Sequence, residues 1–432
     1  MLQEILGFSR HQLENGLKVL ILEDHTLPLL SYQVHFAVGS RHERPGITGI
    51  SHLFEHMMFR GSKRLGPEEF SRIIQANGGN LNAFTTLDHT TYFENLPADK
   101  LELAVSLEAE RLSNLLLTEE NLETEREVVR SERKMRVVNS PFGLLIEKLY
   151  ALAYERHPYR WPIIGWDQDI RRLTISDCKE YYRRGYAPNN AVVVVVGDVR
   201  EEEVLKLISK YYGHLPSQPP PEDTPLEEPP QRGEKRAVFK KVAQLEAFFA
   251  GFHVPGIAHQ DVCPLLALAH ILSEGKSSRF WRRFVKGGEA VEVKAKVDPL
   301  PFWPKDPALL IVYGIASPGT DLEGLEERVW EEIERVKDQG VSDEETSKAK
   351  KGLRSSFISG LETAFFRGLL GGIYEIKAGG FERAHGILEG FDGITPEEIR
   401  GVARTYLREE NRTVVVLRPV SPEENEVLGP VE

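Results

Sequence analysis

The chain has 432 residues, 41% hydrophobic and 28% charged, a balance that excludes disorder and asks for more than one hydrophobic core. A formal net charge of -12 with no long Lys/Arg block excludes a duplex nucleic-acid binder and predicts solubility without naming a substrate. Two cysteines, Cys178 and Cys263, are too few for a disulfide scaffold or a cysteine zinc site.

The first segment, Met1–Gly16, has neither a basic n-region nor an apolar h-region, and no stretch reaches the roughly 18 apolar residues that cross a bilayer. A cytoplasmic location away from membranes is expected. Strand signals follow at Leu17–Glu23 and, after a turn around Asp24–Pro28, at Leu30–Val38. The stretch from Gly46 to Ser62 predicts a helix opened by Thr48 and closed by Gly61. Another helix is expected over Thr118–Arg136. Leu173–Val199 reads as a Thr-capped helix, an Asn turn and a Val-rich strand. Pro216–Arg232 combines prolines, which lack N–H donors, with acids that repel, so it is an extended, exposed linker. Beyond it, Arg236–Val242 and Leu245–Phe252 repeat the strand pair. Ile394–Val420 then repeats the capped helix and strand at an offset of 221 residues.

Equal halves with matching ends predict a duplicated unit. The expected fold class is α+β: two homologous α/β domains, each a mixed or antiparallel sheet with helices mainly on one face. The boundaries are 1–215 for the N-terminal domain, 216–232 for the linker and 233–432 for the C-terminal domain. Neither a G-x-G-x-x-G opening a helix nor a phosphate loop occurs.

The chemistry centres on His52-Leu53-Phe54-Glu55-His56. Positions i and i+4 of a helix share a face, so His52 and His56 can reach one metal ion. Glu55 lies on nearly the same face, where it can touch a metal-held water without being a ligand. This is the H-x-x-E-H order of inverzincins. A catalytic zinc site takes three protein ligands and one open position, so a third ligand must come from another element. Glu125 and Glu132, seven residues apart, share one face of the Thr118–Arg136 helix, whereas Glu127 falls on another. Arg367 and Tyr374, also seven apart, share a face of a helix in the second half. His89 fits a strand end better than ligation, and His11, His25, His35 and His42 have no ligand spacing.

HLFEHMMFRGS, followed by a glutamate 76 residues after the second histidine, resembles the insulinase, pitrilysin and mitochondrial processing peptidase family. The resemblance assigns Glu132 as the third zinc ligand and Glu125 as an accessory acid. It extends to Gly78–Leu96, where Asn82 and Ala83 would line the substrate cleft with backbone hydrogen bonds, and to Ile271–Phe284. It implies that Arg367 and Tyr374 reach the zinc site from the second half and hold the substrate carbonyl. Long members of the family carry four such domains, so this two-domain chain would need a second chain, identical or related, to close a chamber. The implied activity is a zinc endopeptidase with one Zn2+ per chain and Glu55 as general base, acting on unstructured peptides as a homodimer or heterodimer. The competing expectations are a non-catalytic structural subunit of the same fold and a zinc-binding module without hydrolysis.

Overall fold

The computed structural model describes residues 2–221 and 227–424, so Glu222–Leu226 of the expected linker lie outside the described residues. Six strands, β1 (Ser9–Gln12), β2 (Lys18–Glu23), β3 (Leu29–Phe36), β4 (Asn80–Thr85), β5 (Thr90–Pro97) and β6 (Ala191–Gly197), form one sheet in the order β1-β2-β6-β3-β5-β4. Five more, β7 (Lys235–Val242), β8 (Ala247–Val254), β9 (Ala290–Lys296), β10 (Ala308–Ala316) and β11 (Arg412–Val420), form a second in the order β7-β11-β8-β10-β9.

The orders β2-β6-β3-β5-β4 and β7-β11-β8-β10-β9 are the same path. In each, the first pair is parallel and the remaining pairs are antiparallel. The fold is therefore a duplicated mixed α/β unit, with β1 added to the first copy. The matched chain ends follow the same plan. Thr174 and Thr395 each accept a hydrogen bond from the third amide of the helix they open, and Asp177 and Glu398 complete reciprocal capping boxes. The Val-rich strand β6 is buried along its whole length because it sits inside the sheet with both faces covered.

Two compact units do not coincide with the two halves of the chain. The first takes Met1–Arg133, Trp161–Pro225 and Ile358–His385; the second takes Lys134–Arg160, Leu226–Phe357 and Gly386–Glu432. The physical reason is that a sheet has two faces to bury. In the first unit, Tyr32 and Phe36 of β3 meet Tyr212 and Tyr186 on one face. On the other face, Gln33 donates to the Phe365 carbonyl at 2.8 Å and His35 lies against Gly372. That second face is covered by the helix Ala364–Lys377, which the second half encodes. A Cβ on Gly372 would come within 2.4 Å of the His35 ring, so only glycine allows this approach. The second unit mirrors the device. Phe248 and Phe252 of β8 pack on Trp330, while Phe249 packs on Phe142 and Gly251 abuts Leu149. Phe142 and Leu149 belong to the helix Pro141–Ala153, which the first half encodes. No helix among the described residues is long and apolar enough to cross a membrane.

Candidate metal centre

The helix Ile50–Met57 carries His52, Glu55 and His56. Its start differs from the sequence expectation. Gly49 occupies the cap position at φ 88, and the Thr48 hydroxyl donates instead to Asp169 at 2.7 Å. The first amides are served by Glu43, whose carboxylate accepts from Gly49 N at 2.8 Å and Ser51 N at 2.9 Å. Burial pushes Glu43 up to about 8, against these amide bonds, which favour its charged form. Gly49 fits the left-handed cap and a close approach, since a Cβ there would meet the Ile164 carbonyl at 2.6 Å. The helix ends at Met57, and Gly61, the expected terminator, lies in the turn beyond it at φ 106. Phe54 anchors the helix by packing on Tyr181, Tyr182 and Tyr186.

With that face buried, the next one presents the histidines. The rings of His52 and His56 lie 4.9 Å apart between centroids. On the helix Glu119–Arg133, Glu132 places Oε2 3.3 Å from His56 Nε2 and 3.7 Å from His52 Nε2. One ligand atom from each of the three residues lies within 4.8 Å of the others. Glu125, two helical turns before Glu132, sets its Oε2 3.1 Å from His56 Nδ1. A proton on Nδ1 donated to that carboxylate leaves the Nε2 lone pair facing Glu132. Burial works against a charged His56, but the Glu125 hydrogen bond and the charges of Glu125, Glu132 and Glu55 outweigh it and raise its pKa. Two imidazole nitrogens and one carboxylate oxygen, with a further carboxylate orienting a ligand ring, are the donor set of a catalytic zinc site, so these residues fit that ion.

Glu55 lies beside the ligand set, close enough to feel the charges of His56 and Glu132, and Thr85 Oγ1 of β4 donates to its Oε2 at 2.7 Å. Burial raises the Glu55 pKa, and the Thr85 hydrogen bond opposes the rise. Asn82 and Ala83 lie on the same strand, opposite Phe93 and Tyr92 of β5. Asn82 is exposed, Ala83 is buried, and the Ala83 N–H donates to Asn82 Oδ1 at 2.9 Å. Among the described residues β4 pairs only with β5, so it is an edge strand of the sheet.

Arg367 and Tyr374 are not brought to this group. Both sit on the helix Ala364–Lys377, which covers the sheet face opposite the one that Phe54 and the metal helix pack on. Arg367 forms an ion pair with Asp24, and Tyr374 is buried. The sequence placed the pair on one helical face, but which sheet face receives that helix is settled by tertiary packing. His89 is buried in the turn between β4 and β5, where its Nδ1 lies 2.9 Å from Thr86 Oγ1.

Three residues at the site escape a local reading. Thr85 holds Glu55, Glu43 caps the metal helix, and Arg60 forms an ion pair with Glu125. Thr85 had a usable signal, since it lies two positions beyond Ala83 and so shares its strand face. Arg60 lies past the helix end, where spacing gives no direction.

Residues 18–166 match the family profile described as insulinase (peptidase family M16), and residues 172–353 match one described as the peptidase M16 inactive domain. The chain is 32% identical over 412 residues to the zinc protease PqqE of Helicobacter pylori, covering 94% of this chain and 92% of that protein. It is 25% identical over 359 residues to a probable mitochondrial-processing peptidase subunit beta of Arabidopsis thaliana, covering 80% of this chain and 66% of that protein. A crystal structure of a protease from Helicobacter pylori superimposes with a TM-score of 0.90 at 31% identity, over 95% of this chain and 99% of that one. Taken with the duplicated sheet and the H-x-x-E-H helix beside an edge strand, these matches show that the chain belongs to the insulinase family of peptidases, family M16.

Proposed function

We propose that the chain is a zinc-dependent endopeptidase of unstructured peptides, with one zinc ion per chain held by His52, His56 and Glu132. The observation that supports this best is the convergence of those three ligand atoms within 4.8 Å, beside a half-buried Glu55 that is not part of the set. Zinc, when bound, supplies a Lewis acid that acidifies water and polarises a carbonyl. Glu55 takes the proton from the attacking water and returns it to the leaving amine. Its burial raises its basicity, and the Thr85 hydroxyl fixes the direction in which the carboxylate points. Glu125 fixes the His56 ring. The edge strand β4 accepts an extended peptide at Asn82 and Ala83 by strand addition, which uses backbone bonds and tolerates many side chains. Folded domains are poor substrates because their backbones are already paired.

A second reading has its own support. Arg367 and Tyr374 lie away from the metal group, and the profile matching residues 172–353 is described as an inactive domain. Both fit a subunit that relies on another chain to hold the substrate carbonyl. The proposed assembly is therefore a homodimer or a heterodimer with a related chain, and the proposed location is the cytoplasm.

The test pairs metal analysis with cleavage of a mixed unstructured peptide pool, for wild type and Glu55→Gln. Removing a general base lowers turnover by roughly 10^2- to 10^4-fold and leaves the ligands intact. About one zinc per chain with cleavage in wild type alone is the expected result. Near-normal turnover in Glu55→Gln would remove Glu55 as the base, and zinc without cleavage in wild type would favour the partner-dependent subunit.

A further inference from the structure

We propose that Arg60 is a positioning residue of the metal centre: its guanidinium holds Glu125, and through Glu125 it fixes His56 with Nε2 turned toward the ion. The proposal rests on the metal-binding reading above. The contacts run in one line. Arg60 Nε donates to Glu125 Oε1, Glu125 Oε2 lies 3.1 Å from His56 Nδ1, and His56 Nε2 lies 3.3 Å from Glu132 Oε2. The backbone aims the side chain. Past the helix end, Arg60 N–H donates to the Met57 carbonyl at 3.0 Å, and this turn folds the arginine back along the helix flank.

Charge explains why a cation is needed there. Glu125 is 2% exposed, so water cannot share its charge. Glu55, Glu125 and Glu132 bring three carboxylates around two imidazoles. One divalent ion leaves a single negative charge, and Arg60 balances it. Without Arg60, Glu125 loses the partner that holds its Oε1; the carboxylate is then free to turn, and the His56 ring loses its restraint. Glu68 competes weakly for the guanidinium, because it is exposed and 4.0 Å away.

Zinc dissociation constants, read by competition with a chromophoric chelator, test this in wild type, Arg60→Met, Arg60→Lys, Glu125→Gln and the Arg60→Met/Glu125→Gln double variant. Thermal melting of each zinc-free protein is measured alongside. Arg60→Met weakens zinc binding by roughly 10- to 100-fold, the usual effect of losing a group that orients a ligand. Arg60→Lys recovers most of the loss, since it restores the charge without the planar fork. The double variant binds zinc no worse than Glu125→Gln alone, because Arg60 acts only through Glu125. Unchanged affinity in Arg60→Met, or losses that add in the double variant, would overturn the proposal. A merely structural arginine would lower melting of the zinc-free protein without the dependence on Glu125. Wild type that binds no zinc overturns the metal reading and this inference together. Wild type that binds zinc and cleaves no peptide overturns the peptidase reading alone and leaves Arg60 assigned.

Discussion

After β3 the chain enters the helix Ile50–Met57; after β8, at the matching place in the second sheet, it enters the helix Val262–Ser273. The first is short and turns His52, Glu55 and His56 toward Glu132 and β4. The second buries Leu265, Ala267, Leu268 and Leu272, and its one histidine, His270, has a pKa lowered by burial. The entries differ too. Gly49, in the left-handed region and served by Glu43, opens the metal helix, whereas Asp261 precedes the apolar one with helical backbone. One topology thus serves two ends. The sheet and its helix fix a place, and the residue types set there decide between chemistry and cohesion.

The largest expected effect breaks the first side of that comparison. His52→Ala leaves two ligands and drops the zinc content from about one per chain to a small fraction, as metal analysis after dialysis would show. Stoichiometric zinc in that variant would remove His52 from the set. On the second side, Leu268→Ala deletes a fully buried side chain and lowers stability by about 2–5 kcal/mol in denaturant unfolding, with zinc content unchanged. Loss of zinc in that variant would show that the two helices are not separable in role.

Acid sharpens the comparison further. Burial holds His35 at about 3, in contact with Gln33 and Thr91, whereas β8 sets Phe249 and Gly251 against its own covering helix. The folded state keeps His35 neutral while the unfolded chain takes up a proton below about 6.5. The unfolded state then binds more protons, so this contribution is whole above that pH and is lost as pH falls toward 3. Between pH 7 and pH 5 the loss is on the order of 2 kcal/mol, and His35→Gln should remove it. An unchanged pH slope in that variant would assign the acid sensitivity elsewhere. The smallest effect tests equivalence. Thr174→Ala and Thr395→Ala should each cost about 1 kcal/mol, since both remove the same capping box. Clearly unequal losses would count against matched ends.

Much of this was legible in the sequence because the signals are local. His52 and His56 at i and i+4, Glu125 and Glu132 two turns apart, and the capped helices at a constant offset are all consequences of helical period. What was not legible comes from distant partners. Thr48 fails as a cap because Asp169, far along the chain, takes its hydroxyl. Arg60 finds Glu125 only when two helices meet. Arg367 and Tyr374 share a helical face as the spacing requires, yet Asp24 holds the arginine on the other side of the sheet. The domain limits at 215 and 233 mark where the chain passes from one sheet to the other, and they miss the two helices exchanged across it, since no local pattern says which sheet a helix will cover.

That exchange has a consequence for synthesis. A chain leaves the ribosome from its N-terminus, and its early segments fold as soon as their partners are available. All three ligand residues emerge early, but the sheet that supports them keeps Gln33 and His35 uncovered until Ala364–Lys377 has been made. The unit that carries these residues is therefore finished only after the Ala364–Lys377 segment has been made. Until then a nascent chain holds His52, His56 and Glu132 on a sheet with one face bare.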